Sequence, residues 1–239
     1  MRNKRKLSSL FLLLYFMGLA AGFVLIFFAT WADLESAYYG FDYTGSEPFS
    51  TLQCPIFMTK AETEAFSVKV TNKAERRIIN ASLITNISTP ALMDVANTLF
   101  SLEPGETKRL EWEIGPQHID LGRFIFIRAW LHRAYPNPDK EGSCGVYVLS
   151  LPGKGIYYAW GLALCSLLGM GGSLFGLKDS FSAAPNGAFV RLMALALIVL
   201  AGLIATYLSF WMGGVLALVL AVLMSAISFG AQVNADLSR

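Results

Sequence analysis

Three hydrophobic segments near the C-terminal end, residues 155–177, 192–210 and 211–230, contain no Asp, Glu, Lys, Arg or His. Each is about the ~20 apolar residues that a helix needs to cross a bilayer core. A soluble domain can bury one such helix, but three in succession would leave it almost no polar surface. The block is therefore predicted to lie in a membrane, and it dictates how the rest of the chain must be arranged.

A fourth apolar run follows the basic start Met1-Arg-Asn-Lys-Arg-Lys6 and extends from Leu7 to Thr30. Basic residues before an apolar centre also fit a secretory leader, but this run exceeds the roughly 7–15 residues of a leader core. It continues past the small cluster Ala20-Ala21-Gly22. Residues 1–31 are accordingly expected to be a basic cytoplasmic N-terminus and an uncleaved first span. Basic residues stay on the cytoplasmic side of membranes. Arg2, Lys4, Arg5, Lys6, Lys178, Arg191 and Arg239 flank the apolar segments. Four spans place all seven on one side, with both termini cytoplasmic and residues 32–154 extracytoplasmic. Trp31, Tyr157, Tyr158, Trp160, Tyr207 and Trp211 then fall at the outer ends of the spans, where aromatic rings prefer the headgroup level. A plasma or inner membrane is the expected location.

Charge is concentrated in the intervening segment, which holds 12 of the 19 Lys and Arg and 15 of the 17 Asp and Glu. That stretch is slightly acidic, so the formal net charge of +2 is no argument for nucleic-acid binding. Residues 32–53, with Tyr38, Tyr39, Phe41 and Tyr43, read as an interfacial linker, with a ligand-contacting aromatic patch as the alternative. Residues 54–151 read as strands, because period-two alternation marks strands with one buried face. Phe66, Val68 and Val70 oppose Ser67, Lys69 and Thr71. Ile79, Ala81, Leu83 and Ile87 are expected inward, with Asn80, Ser82, Asn86 and Ser88 outward. Leu110, Trp112 and Ile114 oppose Arg109, Glu111 and Glu113, and Phe124–Leu131 is apolar at both parities, as a central strand would be. Turn chemistry at 71–73, 103–106, 114–116 and 135–138 separates the runs. About seven strands in roughly 100 residues is the size of a sandwich of two sheets.

The order Phe66-Ser-Val-Lys-Val-Thr-Asn72, Ile84–Pro90, Ser101-Leu-Glu-Pro-Gly-Glu-Thr107 and Leu110-Glu-Trp-Glu-Ile114 resembles the immunoglobulin-like repeats of prokaryotic surface proteins, including cell-adhesion-related domains. The resemblance implies a fold and an interaction role, and it transfers no catalytic or binding residue. The membrane segments lie outside it. The expected fold class is thus a membrane protein, α plus β, with four transmembrane helices and one extracytoplasmic immunoglobulin-like β-sandwich inserted between helices 1 and 2. Residues 231–239 are expected to be a cytoplasmic tail.

Small residues recur every four positions in the C-terminal spans. They are Gly161, Cys165 and Gly169, continued by Gly172 and Gly176; Ala201, Ala205 and Ser209; and Ala217, Ala221 and Ser225. Such stripes let helix backbones approach closely in lipid. Cys54 and Cys144 lie near the two ends of the strand-rich segment, on the side where disulfides persist; a disulfide is expected, with two separate buried thiols as the alternative.

Chemistry-bearing patterns are sparse. No ionisable group lies at membrane depth, which argues against a carrier or pump. His118 and Asp120, two candidate ligands that follow the turn residues Gly115-Pro116, read as surface loop, and His132 lacks neighbours at ligand spacing. No phosphate loop, nucleophile elbow or metal motif occurs, so neither an enzyme nor a cofactor is expected. Asn80-Ala-Ser82 and Asn86-Ile-Ser88 match the glycosylation acceptor pattern. These observations point to an accessory or scaffold subunit whose partners are the bilayer and other membrane proteins. The alternative is an extracytoplasmic sensor or ligand-binding module, using a pocket near Tyr38–Tyr43 or the Tyr135–Gly142 loop.

Overall fold

A computed structural model describes residues 2–41, 47–90, 92–181 and 187–237. Tyr43 and Arg239, which the sequence reading used, lie outside the described residues. The chain divides into two compact units, Met1–Thr30 with Ala159–Arg239, and Trp31–Tyr158.

The first unit is helical. It contains most of α1 (Arg2–Ser36) and of α2 (Gly155–Phe181), with α3 (Ala188–Tyr207) and α4 (Trp211–Leu237). Three described stretches are long and apolar enough to cross a bilayer: Ser8–Tyr39, Gly155–Lys178 and Phe189–Tyr207. The apolar helical stretch Trp211–Ile227 is shorter. Boundaries differ from expectation at three points. Helix α2 runs to Phe181 rather than 177. Helix α3 starts at Ala188 and ends at Tyr207, so residues 208–210 form a tight reversal rather than its last turn. Helix α4 continues to Leu237, so most of the expected tail 231–239 is helical.

The second unit is built on nine strands rather than about seven. These are β1 (Glu47–Pro48), β2 (Leu52–Gln53), β3 (Phe57–Thr59), β4 (Glu64–Thr71), β5 (Ile78–Ile87), β6 (Asp94–Leu102), β7 (Thr107–Ile114), β8 (Phe124–His132) and β9 (Lys140–Leu149). One sheet has the order β1-β9-β8-β5-β6, with β3 also on β9; the other has the order β2-β4-β7. Strands β1 and β3 run parallel to β9 and take successive parts of its edge, while the longer neighbours pair antiparallel.

Alternation explains the core. Phe66, Val68 and Val70 of β4 and Ile114 of β7 pack in one cluster with residues of the larger sheet: Leu83, Ile125, Ile127, Ala129, Leu131, Val146 and Val148. Trp112 stacks on Phe66 with ring centroids 5.2 Å apart, half-buried at the edge of this cluster. Burying apolar surface at about 25 cal/mol per Å² is the main force holding such a core together.

The other parity of β8 is covered too. Phe124 and Phe126 point away from the shared core into a second cluster with Trp31, Ala32, Phe41 and Tyr147. Here the expected linker 32–53 needs correction. Helix α1 persists through Ser36 and passes into a π-helical turn, Ala37–Phe41, because this stretch has a sheet face to cover. Gly145 permits the approach: a Cβ there would collide with the Ala32 backbone. Its N–H lies between the parts of β9 taken by β1 and β3, and it donates to Asp33 Oδ1 at 2.8 Å.

A bulge between Ile78 and Ala81 overturns one predicted register. Ile78 rather than Ile79 enters the core, and Ile79 is 64% exposed. Asn80 sits at the bulge with φ 54°, a left-handed conformation that Asn tolerates better than most residues. Ser82 and Ser88, expected outward, are buried. The Ser82 hydroxyl donates to Asn97 Oδ1, and Ser88 Oγ donates to the His118 carbonyl while accepting from the Phe126 N–H.

Candidate functional site

Strand edges are where a β-domain meets other chains, because their backbone N–H and C=O groups are unpaired. The described edges of this domain differ sharply. Strands β1, β2 and β3 are two or three residues long. Strand β7 carries Lys108, Arg109, Glu111 and Glu113, side chains that discourage strand addition. Strand β6 is different. It spans nine residues, ends its sheet, and has no charge, Pro or Gly from Val95 to Leu102.

The outward face of β6 carries Val95 and Leu99, alternating with Asn97 and Ser101. Val95 and Leu99 are 58% and 63% exposed and stand opposite Asn86 and Ser82 of the neighbouring strand. Leu92, 81% exposed, and Met93 precede the strand. Phe100 and Leu102 alternate inward and fix the strand to the core. The result is an edge without charge beyond Asp94 and with two exposed apolar side chains, an arrangement that can accept an added extended strand. The sequence reading missed β6. Its weak signal was the run Val95-Ala-Asn-Thr-Leu-Phe100, apolar at both parities.

Sequence-derived positions fall as follows. Cys54 and Cys144 are bonded. Cys54 follows β2 of the small sheet and Cys144 lies within β9 of the large one, so the bond crosses between sheets.

The small-residue stripes are only partly in helix contacts. Gly169 lies against Gly18 of α1, and Gly176 against the Phe11 ring. Gly161 and Gly172 face open space, and Cys165 is exposed. The buried stripe of α2 is instead Ala159, Ala163, Ser166, Met170, Ser173 and Leu177; Gly18 of α1 lies against the Gly169–Met170 backbone and Gly22 against the Ser166 and Val199 side chains. That pair was legible as Gly18-x3-Gly22. In α3, Ala205 is buried but Ala201 is exposed, and Ser209 lies beyond the helix at φ 54°. Ala201, Ala205 and Ala217 line an apolar groove of about 380 Å³. Ala217 and Ala221 of α4 are buried, whereas Ser225 is exposed and returns its hydroxyl to the Ala221 carbonyl.

Of the two sequons, Asn80 is exposed, but Asn86 lies mid-strand between β6 and β8 with its Oδ1 buried. His118 is not on the surface as expected. It is buried, its Nδ1 accepting from the Gly115 N–H at 3.0 Å and its Nε2 lying 3.6 Å from Asp94. Asp120 caps a turn by accepting from the Leu121 N–H. His132 pairs with Asp139 at 2.7 Å. Among the described residues, no group of three or more His, Cys, Asp or Glu could hold a metal. The aromatic patch is packing rather than an open binding surface at two described positions: Tyr39 stacks on Phe126 and Phe41 is buried.

Glu62 ties two backbone segments of the sheet unit together. Its buried carboxylate accepts from the N–H groups of Thr59 (2.9 Å) and Gly155 (2.8 Å), the latter being the first residue of the helix. A carboxylate suits an unpaired helix N-terminal amide. The Glu64 carboxyl nearby titrates above its ordinary range, first through burial and then through hydrogen bonding and charge repulsion with Glu62; Lys154 opposes the shift.

No family model matches the sequence, and no curated protein matches it. Among solved structures, a β-glucosidase, EmGH1 from Erythrobacter marinus, is 17% identical with a TM-score of 0.31, covering 44% of this chain and 15% of that one. The sporulation control protein Spo0M from Bacillus subtilis is 13% identical with a TM-score of 0.27, covering 42% and 48%. The matched regions thus span less than half the length of either protein. Similarity at this level bears on neither fold nor activity.

Proposed function

We propose that this chain is a non-enzymatic membrane subunit that presents an immunoglobulin-like β-sandwich outside the cytoplasm and recruits a partner protein by strand addition at β6. The observation that carries the reading is the contrast between the long, uncharged edge of β6 and the charged edge of β7. The order β2-β4-β7 facing β3-β9-β8-β5-β6 around one apolar cluster supports the sandwich assignment. Three helices long enough to span, a fourth shorter apolar one and basic residues flanking them favour this orientation, and so does a disulfide of the kind that oxidising compartments preserve. The partner segment is an extended strand with apolar residues at alternate positions, able to cover Val95 and Leu99.

Purification from native membranes in mild detergent tests this. The wild-type chain is expected to bring down a partner in fixed ratio. The V95K/L99K variant, with its melting temperature unchanged, is expected to lose it. A clean monomer, or a partner indifferent to those charges, would contradict the reading. Protease added to intact cells is expected to cut residues 32–154; protection until the membrane is breached would contradict the orientation.

A second reading, an extracytoplasmic ligand-binding module, is favoured by a cleft at the other end of the domain.

A further inference from the structure

Trp31, which packs on Phe124 and Tyr147, and Gly155, which bonds Glu62, mark one end of the sheet domain. The opposite end gathers the last residues of β4 and β8 and the first of β5, β7 and β9. Eight of the twelve basic residues of the segment 32–154 lie at this far end: Lys69, Lys73, Arg76, Arg77, Lys108, Arg109, Arg133 and Lys140. Glu47, Glu75, Glu103, Glu106 and Asp139 share this end, and Arg77 pairs with Glu103 at 3.0 Å, so positive charge is in excess there but partly compensated.

A cleft of about 360 Å³ opens among them, within the range of small-molecule sites. Its floor is formed by Phe49, Val70 and Leu131 at the edge of the core cluster, and Lys69, Lys73 and Lys140 are among its lining residues. Glu47 is the one acidic lining residue, 3.8 Å from Lys140. Among the described residues, no carboxylate lies within 4.0 Å of the Lys69 or Lys73 nitrogen.

The walls are tied together. Asn137 Nδ2 donates to the Thr71 carbonyl at 3.1 Å, and Thr51 Oγ1 donates to the Lys69 carbonyl at 2.6 Å. The Glu47 and Phe49 N–H groups donate to the Asp139 and Glu141 carbonyls. These bonds connect three separate segments around the opening, so the cleft is a built feature of the fold. In the β4–β7 register Lys69 stands opposite Arg109, whose guanidinium is paired with Glu111 at 2.6 Å.

We infer that this cleft binds a small organic anion, carrying carboxylate or phosphate on an apolar body, with Lys69 and Lys73 holding the charge and Phe49, Val70 and Leu131 the body. Apolar lining with unneutralised ammonium groups suits neither a neutral nor a cationic ligand. This inference extends the second reading and does not involve β6, so its failure would leave strand addition standing.

Calorimetric titration of the full chain in detergent with phenyl phosphate, inorganic phosphate and benzyl alcohol tests it. Phenyl phosphate is expected to bind saturably and more tightly than either of the others, and more weakly as salt rises. K69Q/K73Q, with an unchanged melting temperature, is expected to weaken it at least tenfold, and E47Q to strengthen it by removing the one opposing charge. The distant K60Q is expected to change nothing. Absence of saturable binding, equal affinity in K69Q/K73Q, or weaker binding in E47Q would overturn the proposal. Equal affinity for inorganic phosphate would overturn the part assigned to the apolar lining.

Discussion

Replacing both bonded cysteines, as Cys54→Ala with Cys144→Ala, should remove much of the stability of the sheet domain. The bond closes a loop of 90 residues. In the chain-entropy treatment, opening a loop of that length returns about 15 cal/mol/K to the unfolded chain, or about 4.5 kcal/mol at 25 °C. Cys144 is buried in the core cluster, so its truncation adds about 1 kcal/mol of lost packing. The total, about 5–6 kcal/mol, compares with the roughly 5–15 kcal/mol available to a typical domain. The loss should fall on both sheets together, because the bond joins β9 to the segment after β2. Guanidinium unfolding of the full chain in detergent, followed by tryptophan fluorescence, reads it. Trp112 stacks on Phe66 and Trp130 lies against His132, so both report on this unit. The midpoint should fall for the double variant and for the reduced wild type alike. A change under about 1 kcal/mol in both would refute the reasoning that the cross-link restrains the unfolded chain.

Other substitutions probe separate parts of the fold. Asn72→Ala should destabilise the domain by about 3 kcal/mol, measured by the same unfolding curve, because the buried Asn72 amide donates to the carbonyls of Arg76, Leu102 and Glu103 and its Oδ1 accepts from Ala74 N–H. Gly145→Ala should cost about 3 kcal/mol through overpacking and raise hydrogen exchange in residues 31–41, since the new Cβ meets the Ala32 backbone. Glu64 has a raised pKa in the folded state, so its protonated form is the favoured one there. Its contribution to stability is present below the ordinary glutamate pKa and lost as pH rises through the raised value. Glu64→Gln should flatten the stability–pH profile in that window; an unchanged profile would contradict the assignment.

How much of this was legible depended on whether burial was one-sided. Phe66, Val68 and Val70 read correctly because one face of β4 meets the core and the other meets water. Strand β8 showed its central place through apolar residues at both parities, yet nothing in it named the cover of the second face, which is the end of α1 and the turn after it. Asp33 and Glu35 looked like the start of a linker, and only the docking at Gly145 explains why the helix continues past them. The bulge at Asn80 shifted Ile78 and Ile79 against simple alternation. Strand β6 was hidden because Val95 and Leu99 on its exposed side blur the alternation with Phe100 and Leu102 on its buried one. The helix contact through Gly18 and Gly22 was present in the sequence as spacing but was passed over for longer stripes of which only part is in contact. The far-end cleft is assembled from residues about 20 to 90 positions apart, and no local pattern announces such a site.

Hydrogen exchange of the segment 92–102, compared between native membranes and the purified chain, tests strand addition most directly. Pairing with a partner strand would bond the outward-facing amides of β6, so the account predicts marked protection there in native membranes, lost on purification and lost in V95K/L99K. Strand β7, with its charged edge, should exchange alike in both settings. Equal exchange of segment 92–102 in membranes and in isolation would contradict the claim that this edge holds another chain.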